Sequence, residues 1–446
     1  MNEILNTVYP FEVDGNCFLF TPDTVSIYKV SRSTYEAAKQ GDVKGIPSGG
    51  KDTANNDEGE RGEMLKEIYI QVIHDCNLDC KYCYAGGGNF GGNPAKMDIA
   101  TVEKAVDFFV SNLDPTVIGD LGFDGGEPFL NWDVIEHATA YAKNKAGQLK
   151  KKLFFHIGAN GTLFNDRTNA FITGNHISLG VSIDGDKEAH DRNRQTRNHL
   201  GSYDTVVRNV KSILAVSDNV NLQGRVTITK TNLKCLDIVK HLLEIGFRHI
   251  YLEPVSGTVE PWIMSREDLD IIKNEFTQLA QFYTGALLKG QFFILRNFYI
   301  FLKRLHMKKR VHYRCGVGRS GPAITPMGDI FPCYKFSGLP QYRLGNVHNV
   351  HNVHGKPIDT EIQRQFIENQ VDRRPGCRDC WARYLCGGGC AYLSLCKKND
   401  IAVNDEQDCE LSLHTAKLSL QIYAAVKMKN PKLWDAFFRQ GIAEPS

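Results

Sequence analysis

What this 446-residue chain lacks narrows its class before any motif is read. It has no surplus of either charge: 53 Lys and Arg stand against 51 Asp and Glu, so no basic field exists for a nucleic-acid backbone or an anionic membrane surface. No run approaches the ~18 apolar residues of a membrane span, and the start, MNEILNTVYPFEV, lacks the basic lead and long apolar core of a secretion signal. A cytoplasmic setting, with neither nucleic acid nor membrane as partner, is the expectation. An even cysteine count is missing too. Thirteen cysteines, mostly in the C-terminal third, suit a reducing compartment and metal ligation better than a disulfide framework. A further absence is a fourth cysteine in the stretch Gln71 to Gly88, QVIHDCNLDCKYCYAGGG.

There Cys76, Cys80 and Cys83 are spaced C-x3-C-x2-C. Three thiols on one short loop can converge on a single inorganic cube, and since a 4Fe-4S cluster takes four ligands, one iron is left open. Zinc usually draws four ligands from two closely spaced pairs, and no second pair lies near this loop. With Tyr82 directly before the last cysteine, the loop resembles the signature of the radical S-adenosylmethionine (SAM) enzymes. That resemblance implies that SAM chelates the open iron and is cleaved to a 5'-deoxyadenosyl radical, which takes a hydrogen atom from the substrate. It also implies SAM contacts at Tyr82 beside the adenine, at Gly125, Gly126 and Glu127 of the GGEP segment, and at Ser182 and Arg194.

The surrounding pattern suits this reading. Apolar runs at 68–73, 119–123, 153–157, 178–183, 224–228 and 250–252 alternate with helical periodicity at 99–113, 133–148, 203–216 and 266–288. Six βα units predict an α/β fold, a partial, open (β/α)6 TIM-like barrel, with function beyond the carboxyl ends of its strands. GGEP, Asn160-Gly161-Thr162, Ser182 and Glu253 all fall at such ends. The expected organisation is an N-terminal β-rich element at 1–44, a polar linker at 45–63, the barrel at 64–305, a cysteine-rich domain at 306–425 and a tail at 426–446. The N-terminal element, with alternating strands around Asp14-Gly15 and a helix capped by Ser31 or Ser33, resembles the leader-recognition element of enzymes that modify ribosomally made peptides.

From Cys315 onward the cysteines become dense. Cys315, Cys333 in a G-x4-C frame from Gly328, then Cys377, Cys380, Cys386, Cys390 and Cys409 resemble the SPASM extension of radical SAM enzymes that act on peptides and proteins. The resemblance implies an outer auxiliary cluster on Cys377, Cys380, Cys386 and Cys409, an inner one on Cys315, Cys333 and Cys390, and so three 4Fe-4S clusters in all. The stretch MKKRVHYR before Cys315 offers no fourth inner ligand, leaving either an open iron or completion by Cys396. Cys17 and Cys235 read as small core residues. Anaerobic sulfatase-maturing enzymes usually carry an aspartate after the G-x4-C cysteine, where this chain has Tyr334-Lys335. The reading is therefore maturation of a cysteine-containing precursor peptide with a leader, by thioether crosslinking, with a flavodoxin or ferredoxin as reductant. Carbon–carbon crosslinking, sulfatase maturation, and an iron–sulfur electron-transfer or peptide-binding protein without SAM chemistry remain the alternatives.

Overall fold

The computed structural model describes residues 8–43, 64–217, 220–255, 261–349 and 358–439, so the expected linker at 45–63 lies outside the described residues. Packing divides the chain into two units. One comprises Met1–Arg61, Ser265–Cys315 and Glu368–Ile442, the other chiefly Gly62–Met264 and Gly316–Ile367.

In the first unit, strands β1 (Tyr9–Val13), β2 (Asn16–Thr21) and β3 (Ser26–Val30) pair antiparallel in that order. Asp14 and Gly15 take the left-handed angles, φ 47° and 72°, that a two-residue hairpin needs. Helix α1 (Arg32–Gln40) starts at Ser31, whose side chain accepts from the Thr34 amide, and stops at Gly41 with φ 97°. The sheet packs on the cysteine-rich segment. Tyr9 stacks on Trp381 at 3.9 Å with an interplanar angle of 13°, Phe20 meets the same indole edge-on at 6.0 Å, and Asp23 pairs with Arg383 at 2.9 Å.

The second unit carries β4 (Glu67–His74), β5 (Gly119–Gly125), β6 (Leu153–Ala159), β7 (Ser178–Ser182), β8 (Leu222–Ile228) and β9 (His249–Pro254). Each pairs parallel with its sequence neighbour. Helices α2 (Ile99–Asn112), α3 (Trp132–Gln148), α4 (Asp166–Gly174), α5 (Tyr203–Val216) and α6 (Cys235–Ile245) make the crossovers. This is an α/β fold in which every strand lies beside the one before it, the order of a barrel. Period-two alternation separates its faces: Ile68, Ile70, Val72, Leu121, Phe123, Ile157, Leu179, Val181, Val226, Ile228, Ile250 and Leu252 are buried. Asp124, Gly158, Ser182, Arg225, Thr227, Tyr251 and Glu253 line a pocket on the other face. The helices α4 and α6 carry no counterpart in the expected set: α4 is short with few apolar positions, whereas α6 is apolar at Ile238, Val239 and Leu242 but opens at Lys234 with no capping side chain to mark its start.

Three boundaries differ from the expected ones. The barrel unit ends near Met264, and α7 (Arg266–Leu288) packs instead on α8 (Glu406–Lys429) of the first unit, where Glu410 accepts from Lys273 at 2.5 Å and Thr277 bonds His414 at 3.1 Å. Residues 323–346, expected in the cysteine-rich domain, extend the barrel sheet: β10 (Ala323–Ile324) pairs parallel with β4, then β11 (Asp329–Phe331) and β12 (Gly345–Asn346) follow antiparallel. The expected tail from 426 holds the end of α8 and a separate short helix, Leu433–Arg439, in which Trp434 stacks on Tyr423 at 5.2 Å and Phe437 packs against Tyr299 at 5.9 Å. No helix among the described residues is long and apolar enough to cross a membrane.

Candidate active site

The three-cysteine loop leaves the carboxyl end of β4. Cys76 is buried, accepting from the Leu78 amide at 3.4 Å and from the Asn160 side chain at 3.8 Å. Cys80 ends a short strand, Leu78–Cys80, that pairs antiparallel with Arg194–Thr196 and sets Arg194 opposite Cys80. Cys83 is brought back by a turn in which its amide donates to the Cys80 carbonyl at 3.0 Å. All three line the pocket. Burial pushes the Cys76 thiol up to about 12 and the Cys80 thiol to about 11, so without a metal these sulfurs stay protonated.

Two glycine loops meet behind the thiols. A Cβ on Gly88 would stand 2.6 Å from the Gly126 Cα, and one on Gly126 would stand 2.2 Å from the Asp75 carbonyl oxygen. Gly125 has φ 140° with the Ile73 carbonyl 2.3 Å from its would-be Cβ. Only backbone fits here, which is the physical content of the two glycines of GGEP. Glu127 turns away from the pocket lining. One of its oxygens accepts from the Phe129 amide at 3.1 Å and the other from the Asn160 amide at 2.6 Å, and burial raises its carboxyl to about 7. Asn160 in turn donates to Asn77 at 2.8 Å, and Asn77 to Thr162 at 2.8 Å. The Asn-Gly-Thr segment thereby grips the cysteine loop.

On the other wall the Tyr82 hydroxyl donates to Asp184 at 2.5 Å and accepts from Arg194 Nη1 at 2.7 Å. Arg194 is buried, and its Nε has no hydrogen-bond partner among the described residues. Burial opposes its charge, but the thiol of Cys80, Tyr82 and Asp184 together hold it firmly protonated. Ser182 lines the same pocket. A buried guanidinium with an orphaned N–H is a ready partner for an anionic oxygen, as SAM would present through its carboxylate. The His190-to-Arg194 stretch also has a supporting part: His190 bonds Ser202 at 2.9 Å, and Ser202 donates to the Arg194 carbonyl at 2.7 Å.

Three thiols lining one pocket are donors of the kind a 4Fe-4S cluster takes. Among the described residues no three His, Cys, Asp or Glu side chains are gathered as a single metal would need. Cluster cysteines each bind a different iron and stand farther apart than the donors of one tetrahedral ion.

The first unit holds the outer set. Burial, then Cys386, Cys380 and Cys377 in that order, push the Cys409 thiol up to about 12, so the four sulfurs share one neighbourhood. Asn404 donates to Cys377 at 3.1 Å and the Ala382 amide to Cys380 at 3.4 Å. Of the expected inner set, the exposed Cys315 and half-buried Cys390 belong to this unit, while Cys333 belongs to the barrel unit. Cys396 sits half-buried on the helix Ala391–Lys398, and Cys17 and Cys235 are buried, as small core residues should be.

Other pocket residues escaped the motif reading. Asp124, Arg225 and Tyr251 line the cavity beside Glu253, Tyr334 and Lys335. The available signal was a charged residue inside an apolar strand, Gly224-Arg225-Val226, which alternation places on the face opposite the buried one.

Residues 70–242 match the Radical SAM superfamily, and the chain carries a radical SAM domain at these positions. Enzymes named as maturases are among the proteins it is similar to. It is 24% identical over 345 residues to a cysteine-type anaerobic sulfatase-maturating enzyme of Clostridium novyi, spanning 74% of this chain and 88% of that one. It is also 24% identical over 373 residues to the radical SAM cyclopropyl synthase TigE of Paramaledivibacter caminithermalis, spanning 79% and 73%. In fold it is similar to native anSMEcpe with bound AdoMet and Kp18Cys peptide, with a TM-score of 0.69 over 82% of this chain and 99% of that chain at 19% identity.

Proposed function

We propose that this chain is a peptide maturase that uses SAM and three 4Fe-4S clusters to close a thioether between a cysteine sulfur and a carbon of a ribosomally made precursor peptide. The observation that carries the reading is the pocket itself, with three thiols and a buried arginine bearing an orphaned N–H around one cavity at the strand ends. When bound, the cluster and SAM supply a 5'-deoxyadenosyl radical that removes a hydrogen atom; the chain's task is placement. Cys76, Cys80 and Cys83 hold the iron, the Gly125-Gly126 backbone approaches the amine of SAM, and Arg194 and Ser182 take its carboxylate.

Thioether chemistry is favoured over sulfatase maturation by the two residues after Cys333. Lys335 pairs with Glu253 at 2.8 Å, and burial pushes the Tyr334 phenol far above its ordinary value, so neither is a carboxylate base. Cys315, Cys333 and Cys390 are the residues that would hold an inner cluster, which with three thiolates would have an iron open to a substrate thiolate. Cys377, Cys380, Cys386 and Cys409 would hold an outer cluster, which would supply an electron relay to a cytoplasmic flavodoxin or ferredoxin. A carbon–carbon bond, as the cyclopropyl synthase relative makes plausible by its name, is the competing product.

Anaerobic reconstitution with iron and sulfide, incubation with cysteine-containing precursor peptides, and mass measurement test the reading. A product two hydrogens lighter whose thiol resists alkylation is expected. The same mass loss with a free thiol moves the assignment to a carbon–carbon bond, and no SAM cleavage under strong reductant overturns it.

A further inference from the structure

Arg225 is the pocket charge that the SAM assignment leaves unused. It stands in β8 opposite Ser182 of β7. From there its side chain runs across the sheet face: a Cβ on Gly180 would meet its Cδ at 3.0 Å, and one on Gly158, the next strand over, would meet its Nη1 at 3.2 Å. Gly158 and Gly180 face each other in register, so two strands have given up side chains along this path. Beyond Gly158 lies Asp124, whose Oδ1 would be 3.8 Å from that same Cβ. The negative charges of Glu253 and Asp124 attract the Arg225 guanidinium, and Arg225 and Asp124 both line the pocket. Asp124 Oδ1 takes one backbone amide, that of Gly125 at 2.9 Å.

We infer that Arg225 and Asp124 form a clamp for one extended residue of the substrate peptide, Arg225 donating to its carbonyl and Asp124 accepting from its N–H. An extended residue points its own N–H and C=O to the same side, a few ångströms apart, so a donor and an acceptor flanking one glycine surface match it as a strand neighbour would. Charge favours this neutral group over an acidic side chain. Arg225 and Lys335 already face Asp124 and Glu253 in the cavity, and a further carboxylate would leave uncompensated charge in a half-buried site. The bare floor at Gly158 and Gly180 admits the peptide backbone, and Ser182 beside Arg225 sets the clamped residue next to the SAM contacts. The clamp rests on the peptide-maturase reading and sharpens it.

The test uses the reconstituted, oxidised, SAM-loaded protein and two capped probes, N-acetyl-Gly-Cys-Gly-amide and its analogue with an ester in place of the cysteine N–H, compared by saturation-transfer NMR. Wild type is expected to bind the amide about tenfold more tightly than the ester. Arg225→Gln weakens the amide about tenfold. Asp124→Ala erases the amide-over-ester preference, and Asp124→Asn, which keeps an acceptor oxygen, restores it; a purely structural role would not discriminate between these two variants or between the two probes. Unchanged binding in Arg225→Gln, equal binding of both probes by wild type, no binding of either, or tighter binding of N-acetyl-Gly-Cys-Asp-amide than of the neutral probe each overturns the clamp. The maturase reading falls separately, if wild type leaves every precursor unmodified while cleaving no SAM.

Discussion

At the scale of single residues, the site is a set of buried charges that only make sense together. Asp184, Tyr82 and Arg194 form a chain through two hydrogen bonds, 2.5 and 2.7 Å, with one guanidinium nitrogen left over. Tyr82→Phe removes the hydroxyl that both charged groups use, and should cost about 2 kcal/mol of stability and weaken SAM binding severalfold, read by thermal unfolding and equilibrium dialysis. A second pair answers to pH. His156 bonds Asp120 at 2.6 Å; burial works against its charge, but the attraction and hydrogen bond of Asp120 outweigh that and raise it above 6.5. A histidine raised in the folded state adds stability that is full below its unfolded value and is lost as pH rises through its folded one. Asp120→Asn should therefore lower the unfolding temperature more at pH 6 than at pH 9. Equal losses at the two pH values would refute the pair. From sequence, the three loop cysteines stand out by their spacing, whereas Arg194 is singled out only by the resemblance to radical SAM enzymes. Glu127 could not be read in full: its turn toward two backbone amides depends on where Asn160 lands, and no local pattern encodes that.

At the scale of elements, the N-terminal sheet is tied to the segment between two candidate outer ligands. Trp381 follows Cys380 directly, and Arg383 opens the short helix that ends at Cys386. Both are held by the sheet, through Tyr9 and Phe20 on the indole and Asp23 on the guanidinium. Trp381→Ala opens a cavity and loosens this grip, at a cost of about 3 kcal/mol. It should speed the release of iron to a chelator several-fold from the outer set while leaving the barrel-loop iron as it was, which absorbance during chelation resolves. Alternation made the strands legible. That their aromatic residues face Trp381 was not, since the contact joins positions more than 350 residues apart and propensity says nothing about partners.

At the scale of the whole molecule, the count of iron is the broadest check. Three clusters predict roughly twelve irons per chain; the triple variant of Cys76, Cys80 and Cys83 to Ala should keep about eight and lose all SAM cleavage. Four irons in wild type would remove both auxiliary clusters. The chain by itself determined the strand order of the barrel, since consecutive βα crossovers leave parallel neighbours little choice, and it set the spacing of the loop thiols, which is a local property. Only tertiary structure decided that residues 323–346 complete the barrel sheet and that Arg266–Leu288 packs with Glu406–Lys429. It alone laid Arg225 across Gly180 and Gly158 toward Asp124. The reason is physical: hydrogen-bond periodicity is written along the chain, whereas which surfaces meet depends on burial summed over distant segments, and burial is non-directional.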